Sequence, residues 1–397
     1  MRGGTGCRYW LLWLLSAAVL DIPGLHADIS SSSSSSSSSL MLGLLHTGGS
    51  TDAPLPAAAA AAARGRFYIF HECGGLRWFR QISLALSGAL SALDVPMNFT
   101  CNVKHLVNEA REQDFILVMG PVRGVGWGSS DKKIAAVGEE LARVVRQRNI
   151  SCVAYETECH CDASASRHPT YAYTIDRAGT APFKEIWTYS YEVIRHIKSH
   201  HQMGNVSLPP TVFLPPGHSA SLDYREHPQN NAANIKTAVT TLMADADRRM
   251  QDAGVWPLYK GKMLANVRTA WNDDSYARLV ASHYVGVCIH KRIGEKRRQL
   301  WDSDLVRMGP FLASGMRVVS ERCNADDEKA LAGLVTFADR SGNNSMVARV
   351  TDFLSEARNK TARLLASNHI ATEFAERFNM TAMLGAELRR IGFDTSA

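Results

Sequence analysis

The sequence predicts an α/β fold made of two doubly wound, Rossmann-like halves that face each other across a cleft. Three observations favour this fold class. Strand-like and helix-like segments alternate from Arg66 onward, the strand-like runs are continuously apolar, and several of them end at glycine or proline. Continuous apolar runs are typical of parallel strands that are buried on both faces. About 330 of the 397 residues follow the low-complexity N-terminus, which is enough for two domains of roughly 150 residues each.

In the first half, the leading strand-like run ends at Cys73-Gly74-Gly75 and is followed by an amphipathic helical pattern. A strand, a glycine turn and a helix in this order form a βα unit. The segment 185–187 leads in the same way into a helical pattern. The predicted strands are 66–71, 114–119, 150–155 and 211–214, and the predicted helices are 76–93, 134–147 and 191–199.

The second half repeats the alternation. Gly315 is well placed to cap a predicted helix, because a left-handed residue commonly ends a helix. We place the domain boundary between residues 215 and 216, within the junction segment 209–231. Ligands of such folds bind outside the carboxyl ends of the strands, so the residues that follow each strand are the functional candidates. The predicted strands are 263–267, 284–290, 317–320 and 334–337, and the predicted helices are 275–281, 305–314, 326–332 and 346–356.

The first 65 residues have the composition of a targeting segment and a linker. Arg2 and Arg8 precede an apolar run, residues 9–20, that is shorter than the roughly 20 residues needed to span a bilayer. Residues 1–27 are therefore predicted to be a secretory signal peptide. The alternative is an uncleaved signal anchor that holds the protein to a membrane. Residues 28–65 contain ten consecutive serines and seven consecutive alanines, which predicts a disordered stem.

The sequons favour the secretory pathway, and the number of cysteines bears on disulfide pairing there. Seven of the eight cysteines follow the signal, so at least one thiol stays unpaired if the others form disulfides. We expect a lumenal protein of the endoplasmic reticulum or Golgi, or a secreted one. Six N-x-[S/T] sequons occur where about two are expected by chance, and they begin at Asn98, Asn149, Asn205, Asn343, Asn359 and Asn379.

Composition and motifs exclude several classes of protein. A net charge of +6 is too small for a dedicated nucleic-acid binder. The proportions, 45% hydrophobic and 21% charged residues, are those of a globular protein rather than a collagen-like, wholly disordered or multi-span membrane protein. The G-x-S-x-G, P-loop, H-E-x-x-H and G-x-G-x-x-G motifs are absent. Cys159-His160-Cys161 lacks the spacing of a structural zinc site, so no metal site is predicted.

Several segments of the chain occur in a characteristic order. They are Ile186 to Ser190 (IWTYS), Phe213 to His218 (FLPPGH), Tyr284 to Lys291 (YVGVCIHK), Asp304-x-x-Arg307, Phe311 to Glu321 (FLASGMRVVSE), Asp326 to Glu328 (DDE) and Gly333 to Ala338 (GLVTFA). The ordered set resembles GT-B glycosyltransferases, especially the spore-coat-type glycosyltransferase-like and glycosyltransferase family 1-like group. The resemblance covers roughly residues 187–356 and implies a GT-B-like fold.

The resemblance also implies an activity and a division of labour. Such enzymes transfer a sugar from a nucleotide-diphosphate sugar, bound by the second half (216–397), to an acceptor bound by the first half (66–215). Basic side chains and a helix N-terminus meet the leaving diphosphate, so no metal cofactor is expected. The acceptor, whether a glycan, a protein or a lipid, does not follow from the residues. The nucleotide, the sugar and the stereochemical outcome also stay open.

Basic donor-site candidates lie around one predicted helix start. Arg307 matches the D-x-x-R segment and is a candidate to hold the diphosphate. Lys291 and Arg292 open a basic loop before this helix, and a solvated loop is their alternative interpretation. His290 ends a strand at the expected cleft, and a histidine bonded to a backbone carbonyl is the alternative there.

Acidic donor-site candidates follow the next strand. Glu321 closes that strand, where a carboxylate in an open cleft can accept hydrogen bonds from ribose or sugar hydroxyls, as a glutamate of the resembled family does. A salt-bridged or capping carboxylate is the alternative. Asp327 and Glu328 stand six and seven residues after Glu321, near the spacing of the family's paired glutamates. Their alternative is helix capping, which the macrodipole favours for acids at a helix start.

The first half offers candidates for acceptor chemistry. His71 and Glu72 end the first strand, and either is placed to deprotonate an acceptor hydroxyl in an inverting reaction. A structural histidine is the alternative for His71. Gly74 and Gly75 let backbone N–H groups approach a ligand closely.

Two other functions fit the same fold. The main alternative is a GT-B-like carbohydrate-binding or scaffold protein that has lost donor chemistry. The second is a two-domain receptor of the periplasmic-binding type, which would not explain the basic loop before Arg307. Binding of a nucleotide diphosphate separates the enzyme from both.

Overall fold

The computed structural model describes residues 65–71, 80–120, 132–156, 183–204, 209–225, 236–240, 273–289, 305–339 and 342–395. Several predictions lie outside the described residues. They are the signal peptide and nearly all of the stem, the strand 263–267, the segment Cys159-His160-Cys161, and the site candidates Glu72, Gly74, Gly75, His290, Lys291 and Arg292.

The first sheet contains six parallel strands in the described part of the chain. They are β1 (Phe67–Phe70), β2 (Met97–Thr100), β3 (Phe115–Met119), β4 (Ser151–Glu156), β5 (Glu185–Thr188) and β6 (Thr211–Phe213). Their order across the sheet is β2-β1-β3-β4-β5-β6. All residues of β1, β3 and β5 are buried, as expected for apolar runs covered on both faces.

The second sheet contains four described strands, again all parallel. They are β7 (Lys236–Thr240), β8 (His283–Cys288), β9 (Arg317–Glu321) and β10 (Val335–Ala338), in the order β10-β9-β8-β7. Two successive parallel sheets with intervening helices confirm the predicted α/β fold class.

Helices cover both faces of the first sheet. They and the helices of the second half are α1 (Arg80–Ala92), α2 (Val103–Glu109), α3 (Lys132–Gln147), α4 (Tyr191–Gly204), α5 (Asp273–Ala281), α6 (Leu305–Ala313), α7 (Ala325–Ala330), α8 (Met346–Glu356), α9 (Lys360–Arg377) and α10 (Met380–Arg390). One face of the first sheet packs in a core that includes α1, α6, α9 and α10, and the other packs against α2, α3 and α4.

The strand order of the first sheet reverses beside β1. The chain leaves β1 through α1 on one face and reaches β3 through α2 on the opposite face. Since β1 and β3 are hydrogen-bonded neighbours, these two connections diverge and open a crevice at the carboxyl ends of the two strands. His71 and Gly120 follow these strands and therefore lie at the crevice.

The chain passes from the first sheet to the second through Pro215-Pro216-Gly217-His218. The N–H of His218 donates to the carbonyl of Phe378 at 2.6 Å, and the N–H of Met380 donates to the carbonyl of His218 at 3.0 Å. A Cβ atom at Gly217 would lie 2.1 Å from the Phe378 oxygen, so only glycine fits this approach. The predicted domain boundary between residues 215 and 216 lies in this segment and stays a prediction.

The C-terminal helix α10 and the residues after it pack against the first half of the chain. α10 packs on α1, and the Phe393 ring lies edge-on to Phe67 and Phe115, with centroid distances of 6.4 and 5.7 Å. Arg390 Nη1 lies 2.5 Å from Glu185 Oε1 at the start of β5. The last residues of the chain therefore complete the packing of the first sheet.

Five described elements have no range in the sequence prediction, namely β2, α2, β7, α9 and α10. Only one of the four residues of β2 is buried, and Met97 is 37% exposed, so this edge strand lacks the apolar run that marks the inner strands. The other described strands and helices match predicted ones with shifted ends. No helix among the described residues combines the length and the apolar character that a membrane crossing requires.

Candidate ligand site at the carboxyl edges of the two sheets

Three described candidate residues lie at the carboxyl edges of the two sheets. In a βα unit the helix begins at the edge where the preceding strand ends. His71 therefore lies at the carboxyl edge after β1, Arg307 in the first turn of the helix that follows β8, and Glu321 at the end of β9. Ligands of open α/β sheets bind at this edge, so all three have the placement that a ligand site requires.

His71 follows β1 at the crevice between β1 and β3. Its backbone N–H donates to the carbonyl of Thr100 at 3.1 Å, which extends the pairing with β2 by one residue. The residue is half-buried. The sheet therefore fixes the position of the histidine backbone at the carboxyl edge.

Arg307 is held in place by the packing of α6 on β8. A Cβ atom at Gly286 would lie 2.5 Å from the Phe311 ring, so this glycine permits the close approach of the helix to the strand. Gly315, which follows the helix, has φ of +71°, and the predicted left-handed cap is confirmed. Arg307 itself is half-buried in the first turn of a rigidly packed helix.

Glu321 is the last residue of β9 and lies opposite Ala338 of β10. The sequence predicts a carboxylate in an open cleft, whereas the residue is only 6% exposed. A carboxylate buried to this extent requires hydrogen-bond or charge partners. Substitution of Glu321 therefore tests stability as well as binding.

Asp327 is buried between elements of the two sheets and is 1% exposed. Its Oδ1 accepts a hydrogen bond from the N–H of Tyr191 at 3.0 Å. Its Oδ2 accepts from the Ser190 hydroxyl at 3.2 Å and from the Asn324 amide at 2.7 Å. Asp327 thus caps the start of α4 in the first half, while Asn324 caps the helix that contains Asp327. The sequence analysis gave helix capping as the alternative role of Asp327, but for the helix that contains Asp327 rather than for α4.

The neighbouring acids also have partners within the protein. Glu328 accepts from the N–H of Cys323 at 3.0 Å and pairs with Arg322 at 2.9 Å. Asp326 pairs with Arg195 of α4 at 3.1 Å on the surface. The predicted donor contacts of Asp327 and Glu328 stay predictions, and their carboxylates already bind protein donors.

Glu192, in the first turn of α4, lies in the same group of acids. Burial raises the pKa of Glu192, Arg195 lowers it in part, and Asp327 and Asp326 raise it further. Arg195 Nη2 lies 3.3 Å from the Glu192 carboxylate. We call Ser190, Tyr191, Glu192, Asp326 and Asp327 the acidic junction, since they join α4 of the first half to α7 of the second.

A second polar group between the halves was not singled out by the sequence. Tyr276, in α5, is 2% exposed, and among the described residues none meets its hydroxyl with full hydrogen-bond geometry. The Tyr224 ring meets it edge-on at a centroid distance of 5.9 Å. Burial raises the pKa of this hydroxyl well above its usual value, while the neighbouring Gln81 side chain and the positive charge of Arg80 lower the pKa in part. We call Arg80, Gln81, Tyr224 and Tyr276 the tyrosine junction.

Cysteine and metal chemistry can be assigned for the described residues. Cys101 forms a disulfide. The buried sulfurs of Cys152, Cys288 and Cys323 are outside disulfides, in agreement with the expectation that not every thiol is paired. Within the described ranges, no group of three or more His, Cys, Asp and Glu side chains is placed to hold a metal ion.

Comparison with known proteins finds distant structural likenesses. No family model matches the chain, and no curated protein matches it in sequence. HepE from Anabaena in complex with UDP is 14% identical, with 82% of this chain and 100% of that chain covered and a TM-score of 0.42. A glycosyltransferase from Rickettsia africae is 8% identical, with 83% and 98% covered and a TM-score of 0.43. At such identities and TM-scores, these likenesses do not assign a function to this chain.

Proposed function

We propose that this protein is a glycosyltransferase that moves a sugar from a nucleotide-diphosphate sugar to an acceptor in the secretory pathway. The observation that carries the proposal is the placement of Arg307 and Glu321 at the carboxyl edge of the second parallel sheet. Both belong to the ordered segments that resemble the donor-binding half of GT-B glycosyltransferases. An open α/β sheet binds its ligand at this edge.

Arg307 has the chemistry to bind the leaving diphosphate. Negative charge develops on the diphosphate as the sugar departs, and a guanidinium in the first turn of a helix adds its charge to the positive end of the helix dipole. Glu321 is assigned to hydroxyl groups of the donor, because a carboxylate accepts two hydrogen bonds without changing its protonation. No metal is required in this scheme.

His71 is the proposed general base that deprotonates the acceptor hydroxyl. Its support is the position after β1, at the point where the strand order reverses. Glu72, Gly74 and Gly75 follow it in the chain and are proposed to complete the acceptor side. A base at this position serves an inverting reaction, in which one direct displacement transfers the sugar.

The proposed location is the lumen of the endoplasmic reticulum or Golgi, or the outside of the cell. The disulfide at Cys101 supports it, because disulfides persist in oxidising compartments. The six sequons and the signal-like N-terminus support it as well. The proposed acceptor is a glycan, a protein or a lipid. If residues 1–27 are an uncleaved signal anchor rather than a signal peptide, the N-terminus attaches the protein to the membrane.

A second candidate function is a carbohydrate-binding or scaffold protein without transfer activity. One observation favours it, namely that Asp327 and Glu328 are bonded to protein donors rather than open to a ligand. The two functions differ in whether a nucleotide diphosphate binds and whether the sugar is released from it.

The experiment that tests the proposal is a thermal-shift screen of the full chain against UDP, GDP and their sugars, followed by measurement of nucleotide release. Binding to the native state raises Tm by mass action, and about 2.7 kcal/mol is gained at a ligand concentration of 100 times Kd. We expect one nucleotide to raise Tm and its sugar to be consumed. A Tm shift without release supports the binding protein instead, and no shift with any nucleotide contradicts the proposed function.

A further inference from the structure

The asparagines of the N-x-[S/T] sequons differ in how far the fold exposes them. Asn98 is half-buried, and Asn205 lies outside the described residues. A glycan is bulky and must extend into solvent, so the surroundings of each acceptor amide decide whether a glycan is compatible with the folded protein. The exposed sequon asparagines among the described residues are Asn149, Asn343, Asn359 and Asn379.

Asn98 lies on the face of β2 that α2 covers. Its Nδ2 is 2.9 Å from His105 Nε2 of α2. Because His105 Nδ1 lies 3.1 Å from Glu109 Oε1, we assign the ring proton to Nδ1, so that Nε2 accepts from the Asn98 amide. The Tyr68 ring, beside Asn98 on β1, packs edge-on against the same imidazole. A sugar attached to Asn98 Nδ2 would therefore have to displace α2.

Two of the exposed asparagines are helix N-caps that use only their side-chain oxygen. Asn359 Oδ1 accepts from the N–H of Ala362 at 3.1 Å at the start of α9. Asn379 Oδ1 accepts from the N–H of Ala382 at 3.0 Å at the start of α10. A glycan is attached to Nδ2, so the oxygen stays available as the cap. Capping and glycosylation are therefore compatible at both positions.

The other two exposed asparagines lie in turns. Asn343 stands between β10 and α8, and Ser345 of the same sequon caps α8 through its hydroxyl, which accepts from the N–H of Ala348 at 3.3 Å. Asn149 follows α3 with φ of +53°, and its Nδ2 donates to the exposed Glu112 at 3.3 Å. An exposed hydrogen bond of this length is readily exchanged for water, so it does not oppose modification.

We propose that the four exposed asparagines carry N-linked glycans and that Asn98 is unmodified in the folded protein. In this reaction Asn Nδ2 attacks C1 of the first sugar of a lipid diphosphate-linked oligosaccharide. The N–C1 bond forms, the C1–O bond to the diphosphate breaks, and the diphosphate leaves with the electron pair. The proton lost from Nδ2 goes to a base of the cell's oligosaccharide transferase. The inference rests on the proposed secretory location and goes beyond the proposed transfer activity.

The test is site mapping of the full chain purified from the secretory pathway of eukaryotic cells. Peptide-N-glycosidase in heavy-oxygen water converts each glycosylated asparagine to an isotope-labelled aspartate, which mass spectrometry of the digested protein locates. We expect label at the four exposed asparagines and none at Asn98. Label at Asn98, or its absence from any of the four, overturns the inference.

The same map separates this inference from the other proposals. A complete absence of label refutes both the inference and the proposed secretory location. The expected labels, in a protein whose Tm no nucleotide raises, contradict the proposed glycosyltransferase function alone.

Variants at the start of α9 separate glycosylation from capping. Thr361→Ala destroys the sequon but keeps the Asn359 cap, so the protein should lose one glycan in gel mobility. Thr361→Ser is the matched control, because it keeps the sequon and should migrate as wild type. Asn359→Ala removes glycan and cap together and should also lower Tm by about 2 °C. If Thr361→Ala migrates as wild type, Asn359 is only a cap and the inference is wrong.

Discussion

The acidic junction and the tyrosine junction connect the same two halves of the chain but differ in how completely their polar groups are bonded. In the acidic junction, Asp327 accepts three hydrogen bonds from Ser190, Tyr191 and Asn324. In the tyrosine junction, Tyr276 is almost as deeply buried, and no residue in the described part of the chain meets its hydroxyl with full hydrogen-bond geometry. A buried polar group with all of its hydrogen bonds made holds the fold together, whereas one that is incompletely bonded contributes less to stability.

This difference in bonding runs against the functional roles that the sequence predicted for the acidic residues. Acidic residues near a strand end attract a functional interpretation, and the sequence assigned Asp327 and Glu328 to the donor. A tyrosine inside an apolar helical pattern attracts none. The bonding of each side chain within the folded protein separates the two cases.

The largest effect is expected from Asp327→Ala. The change leaves three donors without their buried acceptor, so the free energy of unfolding should fall by about 3 kcal/mol in chemical denaturation. Asp326→Ala, which removes an exposed carboxylate paired with Arg195, should cost less than about 1 kcal/mol. If Asp327→Ala keeps its stability but loses nucleotide binding, Asp327 contacts the donor rather than stabilising the fold.

Arg307→Ala should weaken nucleotide-diphosphate binding by about 1.5–3 kcal/mol, which is the usual value of a charge-assisted hydrogen bond. Calorimetry with UDP and GDP measures it, and Tm should stay unchanged. Arg307→Lys is the matched control, because it keeps the charge and loses the planar fork, and it should bind with intermediate affinity. Wild-type affinity in Arg307→Ala, with normal melting, removes this residue from the site.

Glu321→Gln should weaken binding of the donor sugar about tenfold, because the neutral amide is a poorer acceptor for hydroxyl groups. Glu356→Gln is the control at the opposite, amino edge of the second sheet, where Glu356 pairs with Arg317 at 2.7 Å. That control should melt at a lower temperature and bind normally. If Glu321→Gln behaves like the control, its carboxylate is structural.

The smallest effect is expected from Glu192→Gln in the acidic junction. A carboxyl whose pKa is raised in the folded state binds its proton more tightly there than in the unfolded state. Its charged form therefore lowers stability at neutral pH, and this loss disappears as the pH falls below the pKa of the unfolded chain. Glu192→Gln should raise Tm by about 1–2 °C at pH 7 and give no gain near pH 4. A lower Tm at pH 7 would show that the pair with Arg195 outweighs the burial.

The sequence predicted the parts of the fold that depend on local pattern. β1, β3 and β8 are buried along their whole length because both of their faces are covered, and the apolar runs within them are visible in a single sequence. β2 was not predicted, because an edge strand with exposed side chains has no such apolar run. Arg307 and Glu321 could be placed at the carboxyl edge because the order of strands and helices alone determines that edge.

The tyrosine junction could not be predicted in this way. Gln81, Tyr224 and Tyr276 are far apart in the chain, and whether a hydroxyl has a partner depends on the packing of all three segments. The role of Asp327 was missed for a similar reason, since its partners Ser190 and Tyr191 precede it by more than 130 residues. Long-range hydrogen bonding leaves no pattern in one sequence.

Hydrogen exchange of the full chain with and without UDP or GDP tests most directly whether a nucleotide binds between the two sheets. Amide protection reports the segments that a ligand orders. We expect slower exchange in the first turns of α1, α5 and α6, and unchanged exchange in the last turn of α8, where Glu356 lies at the amino edge of the second sheet. Nucleotide binding that leaves the three helix starts unprotected, with protection elsewhere in the chain, would contradict it.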